Sequence, residues 1–297
     1  MPQFAIASCG SAFCTVNTDW NAQAPWQNNA TQLDVRTEYV HQDQVRTGTQ
    51  KSVGAGHHEE VETYNRNTWL TLSHAFTPKL NVSVQAPIVS RDHLHIHHHH
   101  GARLQDRWDF TELGDMRILA HARLDDRLTS ERGAYGLIAG VKLPTGSIDQ
   151  RNRAGDLAER SLQPGSGSTD AIAGAYLSGQ LHAVDWHTQL RWQHAVSERQ
   201  AYRPGDQVAL DAGLRYPLGP VYVLGQVNVL WRGHDRGMNA EPDDSGGRFV
   251  YVSPGVVVPI GKALQAYGLV QLPVYQKVYG TQLTADWAAT MGLTMRF

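Results

Sequence analysis

From residue 33 to the end, apolar and polar residues alternate with a period of two, as expected of strands with one apolar and one wet face. Leu33, Val35, Thr37 and Tyr39 share one face, and Asp34, Arg36 and Glu38 share the other. Met116, Ile118, Ala120, Ala122 and Leu124 oppose Asp115, Arg117, His121 and Arg123. Trp186, Thr188, Leu190 and Trp192 oppose His187, Gln189, Arg191 and Gln193, and Val208, Leu210, Ala212, Leu214 and Tyr216 oppose Asp211 and Arg215. Val221, Val223, Val227, Val229 and Trp231 oppose Gln226, Asn228 and Arg232. The pattern predicts twelve strands, near 31–41, 63–76, 80–90, 114–124, 133–144, 169–183, 186–197, 207–217, 220–232, 248–259, 263–275 and 281–297. Trp69-Leu70 and Phe249-Val250 blur the second and the tenth.

Many of these segments reach the nine to eleven tilted residues that cross a bilayer. Their connections alternate. Tight turns fall around 77–79, 184–185, 218–219 and 261–262, with a slightly longer one at 125–132. Longer connections fall at 42–62, 91–113, 145–168, 198–206 and 233–247, and a short one at 276–280. Short periplasmic turns, long external loops and an even strand number describe an antiparallel up-and-down barrel in a bacterial outer membrane. Lipid demands that every backbone group be paired, which selects a closed barrel over an open sheet. The last segment alternates from Trp287 to Phe297 and ends on an aromatic, resembling the signal by which barrel-assembly machinery recognises its clients. A mean hydropathy of -0.40 does not argue against a membrane, because alternation hides such strands from window averages. The net charge of -2 gives no basic field for nucleic acid.

Residues 1–30 lack a strand period and are expected to be a periplasmic segment or a plug, with the barrel spanning 31–297. Residues 1–8 do not make a complete signal peptide, as in a mature form. Cys9 and Cys14 are the only two cysteines, and an exported pair so close is expected to form a small-loop disulfide. A lipidated Cys9 is the alternative. Trp69, Trp186, Trp192, Trp231, Trp287, Tyr39, Tyr135 and Tyr216 are expected to form interfacial girdles.

The most pointed local feature is a run of histidines, His93, His95, His97, His98, His99 and His100, in an external loop. Neutral imidazoles at this spacing suit zinc, copper or nickel, and a second loop offers His57 and His58 with Glu59 and Glu60. The run is internal and broken by Leu94 and Ile96, unlike an expression tag. It reads either as a working metal-capture site or as a solvated loop with adventitious affinity. A second set is the inward charges Asp34, Arg36, Glu38, Asp115, Arg117, Arg123, Lys142, Arg191, Asp211, Arg215, Arg232 and Asp286. They either line a wet pore or pair to fill a narrow barrel. Gly165-Ser166-Gly167-Ser168 lacks the Lys-Ser/Thr and helix of a phosphate loop. The acidic stretch 241–246 lacks EF-hand spacing. His74, His121, His187 and His194 come with no nucleophile motif, so a hydrolase is the weakest reading.

Val141-Lys142-Leu143-Pro144-Thr145-Gly146, followed by 162–170, resembles a bacterial outer-membrane family of MetA-pathway phenol-degradation proteins. The resemblance is sharpest over 134–180, extends weakly to Phe297 and leaves out 1–30 and the histidine run. It implies a barrel and passive uptake, and offers no catalytic residues. The leading expectation is a non-enzymatic channel for a small solute or metal ion, contacting outer-membrane lipid, with a metal-binding loop. The alternative is a metal-binding or adhesive surface protein anchored by its barrel.

Overall fold

The computed structural model describes residues 29–52, 58–99, 102–125 and 133–297, so Cys9, Cys14, His57, His100 and the segment 1–28 lie outside the described residues. The strands are β1 (Thr31–Gln42), β2 (Gln44–Thr47), β3 (Gln50–Lys51), β4 (His58–Thr77), β5 (Leu80–His99), β6 (Ala102–Leu113), β7 (Arg117–Asp125) and β8 (Ala134–Lys142). They continue as β9 (Asp170–Leu181), β10 (Val184–Ala195), β11 (Gln207–Leu218), β12 (Val221–Arg232), β13 (Gly247–Ile260), β14 (Leu264–Val278), β15 (Thr281–Thr284) and β16 (Ala288–Arg296). Twelve of them close an antiparallel ring, β1-β4-β5-β7-β8-β9-β10-β11-β12-β13-β14-β16, with β16 returning to β1. Every neighbour across the ring is antiparallel.

Closure satisfies the backbone, and the side chains sort as alternation requires. Leu72, Leu137, Leu177, Leu190, Val227 and Leu293 are exposed on the outer face. A soluble monomer rarely leaves an apolar belt of this extent uncovered, whereas lipid covers it without cost. Their strand neighbours Ser73, Ile138, Tyr176, Gln189, Gln226 and Thr294 are buried inside. At the tight turns, Gly219 (φ 61°) and Gly261 (φ 74°) adopt left-handed backbone, which carries no steric penalty in glycine.

Three corrections to the expected strands bear on function. β4 and β5 each run 20 residues, roughly 65 Å at ~3.3 Å per residue, far beyond an apolar band of ~25 Å. The exposed apolar row of β5, Leu80, Val84 and Ile88, ends where the bilayer should. Residues 58–62 and 91–99, expected in loops, therefore extend the barrel wall outward with β6 as a third strand. Polar residues on both faces hide that extension from an apolar alternation. The expected fourth strand, 114–124, begins only at Arg117 as β7, and the connection before it holds β6: β5 pairs β6 along its outer half and β7 along its inner half, with 114–116 between. Finally, the last expected strand splits. β15 leaves the ring for a small sheet with β2 and β3, and only β16 completes the wall.

Candidate functional site

The inner face carries most of the expected charges, and many are fixed. Asp34 accepts from Tyr267 Oη at 3.0 Å and from Thr294 Oγ1 at 2.7 Å. Glu38 accepts from Arg36 Nε at 3.0 Å and from the indole of Trp69 at 2.9 Å. Lys142 stands between Asp115, 3.2 Å away, and Asp170, 3.0 Å away, and also donates to Ser166 and Ser168. Asn228 donates to Asp211 at 2.7 Å, and Arg215 and Arg232 pair with Asp185 and Asp235, each at 2.7 Å. Arg123 donates to the carbonyl of Gly133 at 3.3 Å. Burying such charges is tolerable only when they are paired or solvated.

The Lys142 cluster explains the two motifs that carried the family resemblance. Asp115 accepts from Ser166 N and Oγ, both at 2.8 Å, and from Gly146 N at 3.1 Å. Thr145 Oγ1 donates to Gly114 O at 2.8 Å and accepts from Met116 N at 2.9 Å. The break between β6 and β7, the start of the 143–169 connection and its return are thus tied at one point. That connection packs Ala158 and Leu162 against Trp108 and Phe110 of β6.

Two expectations fail here. Asp286 is exposed at a bend outside the ring and bonds Lys51 Nζ at 2.9 Å, because the chain leaves the wall between β15 and β16. Trp69, expected in a girdle, turns inward, and Arg36 and Arg117 each lie over its ring at 5.2 Å. The blurred alternation at Trp69-Leu70 was the signal. Trp192, Trp231, Trp287 and Tyr216 do face outward, as a girdle requires. Sequence reasoning did not single out Asp170, Asp185 or Asp235, the carboxylates that hold Lys142, Arg215 and Arg232.

The histidine run is a strand in the outer extension. Its register sets His58 opposite His97, Glu60 opposite His95 and Thr63 opposite His93, so the two segments expected to share a metal are backbone neighbours. Beyond the apolar row, His93 and His95 are buried at 1% and 6% exposure. His93 Nδ1 bonds Thr63 Oγ1 at 2.8 Å, its Nε2 has no hydrogen-bond partner, and its ring lies 6.3 Å from His95 and 5.8 Å from Trp108. Burial, reinforced by His95, pushes the pKa of His93 down to about 3, keeping it in the neutral form that binds metals. Among the described residues no three ligating groups converge. The side chains of His58 and His97 to His99 lie outside the described residues.

His194 has Asp206 at 2.8 Å on Nδ1, but its Nε2 meets Arg203 at 2.9 Å in place of a nucleophilic hydroxyl. His74 bonds Thr31 Oγ1 at 2.9 Å at the turn end of the wall.

A closed ring with an apolar exterior and a charged interior defines an outer-membrane β-barrel protein. Residues 42–297 match the model of the family described as "Putative MetA-pathway of phenol degradation", and the chain belongs to that family. No curated protein matches the sequence. The COG4313 outer membrane channel from Pseudomonas putida F1 superposes with a TM-score of 0.68 at 14% identity, over 95% of this chain and 100% of that one. The transport unit of the autotransporter AIDA-I from Escherichia coli is more distant, with a TM-score of 0.47 at 10% identity over 97% and 95% of the two chains. A FadL homologue from Pseudomonas aeruginosa gives 0.41 at 9% identity over 91% and 90%.

Proposed function

We propose that this chain is a non-enzymatic outer-membrane channel that passes a small polar solute. The observation that carries the reading is the inner wall, where charged and amide side chains from strands all around the ring face one lumen. Such a lining replaces water for a polar solute in transit. On three adjacent strands Asn228, Asp211 and Ser253 are fully buried in one hydrogen-bonded row, which supports a small solute over a large one. The likeness to a channel from Pseudomonas putida F1 points the same way. Detergent-folded barrel in planar bilayers is expected to give discrete conductance steps, and vesicles containing it to swell in small polar solutes. A silent bilayer together with flat swelling would refute the channel.

A second property is favoured by the register of the histidine extension. His93 offers a neutral imidazole with a free Nε2, beside the paired backbones of His58 and His97, a donor set suited to zinc, copper or nickel. Titration with the three metals should show fixed stoichiometry, lost when His93, His95 and His97 are replaced by Asn. Equal binding by that variant would dismiss the site.

A further inference from the structure

The inner wall pairs its cations unevenly. Lys142 holds Asp115 and Asp170, Arg36 holds Glu38, Arg215 holds Asp185 and Arg232 holds Asp235. Among the described residues Arg117 and Arg191 make no ion pair, and the Nε of each is buried without a hydrogen-bond partner. The charged groups around Arg117 are Arg191, Arg36, Asp170 and Glu38. Both of those carboxylates are engaged. Asp170 takes Lys142, Ser168 and Gln193, and Glu38 takes Arg36 and Trp69.

The geometry is also held in advance. Trp69 donates to Glu38 at 2.9 Å, which sets the plane of its ring, and Arg36 and Arg117 both rest over that ring at 5.2 Å. Stacking of this kind orients a guanidinium while leaving its edge N–H groups available to an acceptor. A planar carboxylate matches the guanidinium fork with two parallel hydrogen bonds.

We propose that Arg117 and Arg191, with Arg36 held against Trp69, form a binding site in the lumen for a small organic carboxylate, which makes the solute an organic anion. This rests on the channel reading for its transport meaning, while binding is testable without it. Detergent-folded barrel would be titrated calorimetrically with acetate and benzoate, and with sulfate as an inorganic comparison. Both carboxylates are expected to bind at one site more tightly than sulfate. Replacing Arg117 and Arg191 together by Gln should weaken them at least tenfold. Replacing both by Lys, which keeps the charges and removes the fork, should weaken them severalfold. The lysine variant carries the test if the glutamine variant fails to fold, folding being scored by heat-modifiable gel mobility. Unchanged carboxylate affinity in the variants, no binding by the native barrel, or sulfate binding as tightly as acetate would overturn the proposal. Reversal potentials under a salt gradient separate the two readings. Conductance without carboxylate binding removes the site and leaves the channel, whereas binding without conductance removes the channel and leaves the site.

Discussion

Single residues in this barrel are governed by how their charge is shared. Glu241, in the connection between β12 and β13, shows the effect outside the membrane. Burial, then the nearby carboxylates Glu159, Asp244 and Asp235, push its pKa up from 4.5 to about 8. Between those values the packed connection holds a proton that the opened one releases. Its stabilisation is therefore complete below about 4.5 and is lost as the pH rises through 8. Proteolysis within 233–246 is expected to quicken from pH 5 to pH 9, and Glu241→Gln should flatten that slope; a slope unchanged in the variant would exclude Glu241 as its source. Residues such as Asp34 and Lys142 were legible as inward from alternation alone. Their partners were not, because Lys142 meets Asp170 and Ser166 through a connection whose path no period describes. Asp286 misled for the complementary reason: it continues the alternation of β16 at a point where the backbone has already left the wall.

Elements follow the same logic. Alternation located the wall wherever lipid lies outside it, since only there are the two faces chemically distinct. Above the bilayer both faces are wet, so the outer halves of β4 and β5 looked like loops although their backbones stay paired to His58 and His97. The 143–169 connection is held by a close backbone approach. A Cβ on Gly165 would come within 2.4 Å of Gly146 O and 2.8 Å of Asp115 Oδ1. Gly165→Ala should therefore cost about 1–3 kcal/mol by overpacking, paid locally by releasing the connection from the Lys142 cluster. Trypsin cleavage at Arg151 and Arg153 would rise while the barrel keeps its heat-modifiable mobility. Cleavage at the native rate would mean that the connection is held elsewhere.

At the scale of the molecule, stability depends on lipid outside and polar pairing inside. Val227, exposed in the middle of β12, lies between Gln226 and Asn228, both buried within. Val227→Arg should destabilise the barrel by ~2–4 kcal/mol if it lies at the midplane, measured by reversible denaturant unfolding in lipid vesicles, and a neutral result would place this row outside the bilayer. The ring shuts where its first and last strands meet. Arg296 and Gln32 face each other across 264 positions of chain, and Phe297 N–H donates to Thr31 O at 2.9 Å. No shorter stretch can seal the wall, and contacts this remote in sequence form slowly. Every hairpin made earlier keeps a raw edge able to pair with another copy. Closure is accordingly late and all-or-nothing: until β16 meets β1, the whole cylinder stays an open sheet with two unpaired borders.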